Sequence, residues 1–202
     1  NPDADLVMIY IEQPDGSGHQ FTLTDRRQAT DPRNPGSSGD NQDKAKIARY
    51  DSYLKFAYRT ADRAVDRIAE AAGSDANVFV VSDHGMADLS TNRVVMLGDF
   101  VDLKTVQVDF SGAVAGLRPL DGDVDKLHSA FKGKEKHFKT YRDETVPKEY
   151  HFRNNPRIPP VVLVADDGWY LSNRSSNEPS TRAMSKATHG YDPQLVSMGG
   201  TF

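Results

Sequence analysis

LVMIYIEQPDGSGH, residues 6–19, is the stretch that decides the fold, and VFVVSDHGM, residues 78–86, repeats its plan. Each opens with an unbroken apolar run, residues 6–11 and 78–81, and then breaks into glycine and polar side chains. A run without polar alternation is the pattern of a strand covered on both faces, as in a parallel sheet flanked by helices. Between the two, Ile47, Leu54, Tyr58, Ala61, Val65, Ile68 and Ala72 recur at helical spacing. They predict one long amphipathic helix from Lys44 to Ala72, closed by Gly73. Strand, helix, strand in that order predicts a parallel crossover in an α/β fold. Both polar loops then lie at the carboxyl ends of their strands and face one crevice.

Outward from these stretches the signals weaken. Residues 20–43 are rich in Asp, Pro, Gly, Ser and Asn without periodicity and predict a polar surface loop or insertion. Residues 94–97, 106–110 and 113–117 are further strand candidates, and residues 123–131 a short helix. Residues 159–165 and 168–172 read as a strand pair turning at Asp166 and Asp167. The last residues, 198–202, read as the start of another strand. With Asn1 in place of Met, both ends look cut, so the expectation is one domain forming part of a larger protein.

Composition narrows the function classes. In 202 residues, 25 Lys and Arg face 29 Asp and Glu, a net charge of −4 with no long block of one sign, so nothing draws the chain as a whole to nucleic acid or to an anionic membrane. No apolar run approaches the roughly 18 residues of a membrane span. Cysteine is absent, so disulfides and thiolate metal sites are excluded and any metal must be held by oxygen and imidazole.

Three short motifs carry such donors: Asp15-Gly-Ser-Gly-His19, Asp83-His84-Gly85-Met86 and His189-Gly190-Tyr191. Carboxylate oxygen and imidazole nitrogen are what zinc and similar ions accept when no thiolate is available. Singly the motifs are ordinary, since an Asp-His pair after a strand is also a common capped turn. Together, after buried strands, they supply five ligands, Asp15, His19, Asp83, His84 and His189. That is too many for one catalytic zinc and too few for two complete ones, which points to a two-metal clamp with ligands outside the chain. His128, His137 and His151 lack such company and read as structural or exposed. Arg153, Arg157 and Lys186 read as solvated surface, Trp169 and Tyr170 as packing, and Ser17 as a turn residue.

In order and rough spacing, YIEQPDGSGH, SDHGM and THGYDP resemble the last three metal motifs of the nucleotide pyrophosphatase/phosphodiesterase family of the alkaline phosphatase superfamily. YHFRNNPRIPPVVLVADDGWY, residues 150–170, is similar to the segment before that family's final histidine motif. The resemblance implies an alkaline phosphatase-like central sheet flanked by helices and incomplete at its N-terminal side. It implies hydrolysis of a small-molecule phosphodiester or nucleotide pyrophosphate with two divalent ions, Zn2+ first. Asp15, His19 and His189 would hold one ion, and Asp83 and His84 the other. The family's further metal-binding Asp and its Thr or Ser nucleophile have no counterpart here, so the nucleophile is expected upstream and the chain alone inactive. Relatives are commonly outside the cytoplasm, so an extracytoplasmic (periplasmic or secreted) location is expected. Rival expectations are another superfamily hydrolase, such as a phosphonoacetate hydrolase or phosphomonoesterase, and a noncatalytic metal-binding module.

Overall fold

The computed structural model describes residues 4–177 and 185–201. In chain order it holds helix α1 (Asp15–Phe21), the long helix α2 (Lys44–Ala72), strands β1 (Ala87–Asp88), β2 (Val94–Met96), β3 (Val106–Phe110) and β4 (Val114–Pro119), and helix α3 (Val124–Phe131). Strands β5 (Phe138–Arg142), β6 (Val161–Ala165), β7 (Tyr170–Ser172) and β8 (Ala187–Thr188) follow, with short 3₁₀ turns between. The chain is mixed α/β, as its patterning predicts.

The largest sheet among the described residues is antiparallel, in the order β3-β4-β6-β5. Its β6, VVLVA, is buried at every residue, which is why it carries no alternation. One face meets α3 in a core of Leu117, Leu127, Phe131, Phe138 and Leu163. Val146, Tyr150, Phe152 and Ile158 cover the other face, over Val162 and Val164. Helix α2 takes the predicted bounds: the Asp43 carboxylate accepts the Lys46 N–H at its start, and Gly73 at φ 82° ends it in the conformation glycine tolerates best.

Four expectations are corrected. Residues 6–11 and 78–81 run without a ladder. Leu6 to Tyr10 are 57–88% exposed and Val78 to Val81 are exposed as well. A parallel strand needs a hydrogen-bonded neighbour and helices on its faces, and among the described residues neither run has them. Residues 159–165 and 168–172 do not pair with each other. Strand β6 lies between β4 and β5, while β7 runs parallel to β2, because Gly168 at φ 73° turns the chain away from the sheet. Residues 20–43 are no slack loop: Leu23, Gln28, Ala29 and Thr30 are buried within it. Near the end, residues 198–201 form no strand: Met198 closes a 3₁₀ turn, Val196–Met198, and the Thr201 carbonyl accepts the Ser82 N–H at 2.9 Å, while Phe202 lies outside the described residues.

Candidate metal centre

Asp15 and His19 stand on a helix, not in a loop. Two glycines would ordinarily weaken a helix, but α1 is held by tertiary contacts. Phe21 packs edge-on against Tyr50 and Tyr53 of α2. At Gly18 an added Cβ would come within 2.9 Å of the terminal methyl of Met86, so the second motif packs closely on the first. The helical period then sets Asp15 and His19, four residues apart, on one face.

The second and third motifs arrive through a short ribbon in which β1 pairs with β8, Ala87 opposite Thr188. Gly85 lies against the 196–199 turn, where an added Cβ would sit 2.2 Å from the Ser197 carbonyl oxygen, and its N–H donates to the Met198 carbonyl. The three motifs therefore meet at one edge. Around Asp15 Oδ1 lie His19 Nε2 at 3.4 Å, His189 Nε2 at 3.5 Å and His84 Nε2 at 3.9 Å. His84 stacks on His189 with ring centroids 3.5 Å apart, and Asp83 Oδ1 lies 3.5 Å from His84 Nε2.

This donor set suits a divalent cation. Asp15 Oδ1 is buried and accepts no hydrogen bond, an arrangement that is costly unless a positive group completes it. Donor atoms of Asp15, His19 and His189 lie within 4.8 Å of one another. His19 Nδ1 is hydrogen-bonded to the Ala187 carbonyl at 2.8 Å and His84 Nδ1 to the Gly85 carbonyl at 2.8 Å, which turns each Nε2 toward the centre. Burial first, then the neighbouring His84 ring, pulls the His189 pKa below the usual histidine value and favours the neutral imidazole that donates a lone pair. Asp83 is the outlying member, its side chain 74% exposed.

The chain is similar to known proteins. The family model for type I phosphodiesterase / nucleotide pyrophosphatase matches residues 1–192. The chain belongs to this family. Bis(5'-adenosyl)-triphosphatase enpp4 of Xenopus laevis is 28% identical over 199 residues, which is 98% of this chain and 38% of that protein. Ectonucleotide pyrophosphatase/phosphodiesterase family member 5 of Homo sapiens is 30% identical over 126 residues, 62% of this chain and 25% of that protein. Among solved structures, murine ectonucleotide pyrophosphatase/phosphodiesterase 5 superposes with a TM-score of 0.63 at 27% identity, covering 93% of this chain and 43% of that one. The alkaline phosphatase-like α/β fold follows from that match. The chain thus spans less than half the length of these relatives.

In this member of the phosphodiesterase family, residues other than the five donors are also buried near the site. Tyr191 is buried, and its hydroxyl donates to the Trp169 carbonyl at 2.8 Å, so it anchors the His189 loop from behind. Arg93 is buried beside Asp25, and burial lowers its pKa. Tyr191 lies within the His189 motif, whereas Arg93 follows no recognisable pattern in the sequence. His128, His137 and His151 stand apart from the centre: His128 is on α3, His137 stacks on Trp169, and His151 ends a 3₁₀ turn.

Proposed function

We propose that this chain supplies most of the metal-binding edge of a phosphodiesterase or nucleotide pyrophosphatase, acting on a small phosphodiester or nucleotide. One observation carries the proposal: a buried, unpartnered carboxylate oxygen of Asp15 lies among three imidazole nitrogens on three separate chain segments. On this reading Asp15, His19 and His189 hold one divalent ion, Zn2+ first, and Asp83 and His84 contribute to a second. Two such ions would polarise the phosphoryl oxygens and lower the pKa of an attacking hydroxyl or water.

The chain's own residues do the positioning. The Ala187 and Gly85 carbonyls orient His19 and His84, Tyr191 steadies the third motif, and the stacked rings of His84 and His189 close one side of the centre. The nucleophile belongs, on this proposal, to residues outside the 202. Ser17, on α1, donates its hydroxyl to Gln13 Oε1 at 2.7 Å, just ahead of the helix. Support for a nucleotide substrate comes from an inactive variant of the murine relative, solved in complex with AMP. The relatives' name, ectonucleotide pyrophosphatase, supports an extracytoplasmic location. The exposed apolar runs at 6–10 and 78–81 fit a catalytic domain whose central sheet is completed by further residues.

The test is an assay of a chromogenic phosphodiester and a chromogenic phosphomonoester with zinc, using the full-length protein and this chain alone. Zinc-dependent cleavage of the diester by the full-length protein, with none by the chain, is expected. Preference for the monoester would favour another superfamily hydrolase. Silence of the full-length protein toward both, with zinc bound, would favour a noncatalytic metal-binding module.

A further inference from the structure

Gln28 lies in the segment that the sequence presents as a featureless polar insertion, yet it is 1% exposed. Its Nε2 is 3.1 Å from the Thr22 carbonyl oxygen, 2.9 Å from that of Leu89 and 2.8 Å from that of Lys186. These carbonyls sit on three different pieces of the centre. Thr22 caps the end of α1, which carries Asp15 and His19. Leu89 lies five residues beyond His84, and Lys186 three residues before His189.

The carboxamide orientation follows from its surroundings. All three groups around Nε2 are acceptors, while Oε1 accepts the Asp25 N–H at 3.1 Å. Lys186 is itself a node: its N–H donates to the His19 carbonyl at 2.7 Å, and its carbonyl also accepts the Leu89 N–H at 2.8 Å. One buried amide therefore ties together the ends of the three segments that meet at Asp15. The amide's two N–H groups are shared among the three carbonyls, and a buried polar group held in this way resists movement of the segments around it.

We propose that Gln28 is a positioning residue that sets the spacing of the three metal motifs, and so the affinity of the centre for its ion. This rests on reading Asp15, His19 and His189 as metal ligands. The same loop supplies a control. Gln42 donates from its Nε2 to the Asp25 and Gln28 carbonyls, bracing the insertion without touching any motif-bearing segment.

The experiment measures zinc affinity by competition with a chromophoric chelator in the full-length protein and its Gln28→Met and Gln42→Met variants, with the melting temperature of each zinc-free form alongside. Loss of an outer residue that orients ligands typically lowers metal affinity by about 10- to 100-fold, and Gln28→Met is expected in that range. Gln42→Met should bind zinc like the parent even if its zinc-free form melts as low as that of Gln28→Met. Unchanged affinity in Gln28→Met, or equal losses in both variants, would overturn the proposal and assign Gln28 to loop stability alone. If Gln28→Met does not fold, Gln28→Glu, nearly the same shape without the amide donors, is read by the same criterion. A parent protein that binds no zinc would instead bring down the ligand reading beneath the proposal.

Discussion

Asp15→Ala is expected to lower zinc-dependent kcat/KM of the full-length protein by more than about 100-fold, since replacing even an outer group around a metal ligand costs about 10- to 100-fold. Asp15 has the largest expected effect because its Oδ1 faces His19, His84 and His189 at once. Without the carboxylate His19 and His189 lose their anionic partner at the centre, and His84 keeps only the outlying Asp83. Asp15→Asn keeps the volume and one oxygen but not the charge, and should fall between the parent and Asp15→Ala. Circular dichroism should show the fold retained, because Asp15 belongs to neither hydrophobic core cluster. An Asp15→Ala protein with a kcat/KM within about tenfold of the parent, a difference of only about 1.4 kcal/mol, would remove Asp15 from the centre.

Phe131→Ala should produce the largest loss of stability. Phe131 is fully buried where α3 meets the four-stranded sheet, stacked on Phe100 at 5.2 Å and edge-on to Phe138 at 6.3 Å. Truncating a buried phenylalanine leaves a cavity as well as losing its transfer free energy, together about 3–5 kcal/mol. For a chain of this size that corresponds to a drop in Tm on the order of 10 °C. Thermal or urea unfolding checks it, and a change below about 1 kcal/mol would mean that the helix does not depend on this contact.

The parts of the fold legible in the sequence are those fixed by local pattern. Helix α2 announces itself through its spacing and its Gly73 stop, and the 106–110 and 113–117 strands through short stretches rich in valine and other apolar residues. Partnership was not legible. Strand β7 reads as the hairpin mate of β6, and only tertiary packing assigns it to β2. Strand β5, FKTYR, is missed because Lys139 and Arg142 interrupt its apolar character, yet Phe138 and Thr140 point inward. Helix α1 hides behind its Gly-Ser-Gly core, since its stability comes from Tyr50, Tyr53 and Met86 rather than from propensity.

At the site, the five donor residues stand out by type and by the glycines beside them, and the structure brings their three motifs to one edge. Their supports do not stand out. Gln28 and Arg93 act through contacts spanning dozens of residues, and no short motif encodes such contacts. The exposed runs at 6–10 and 78–81 show the opposite limit. Their apolar pattern is clear, and the partners that would make them strands are not among the described residues.

The measurement that bears most directly on the metal centre is the zinc content of this chain after chelation, reloading and gel filtration, compared with that of His189→Ala. Asp15, His19 and His189 form the three-ligand set typical of an open catalytic zinc, so the parent is expected to retain more than about half an ion per chain. His189→Ala, left with two of the three ligands, should retain clearly less. Equal zinc in the two proteins would contradict the assignment of these residues to one ion.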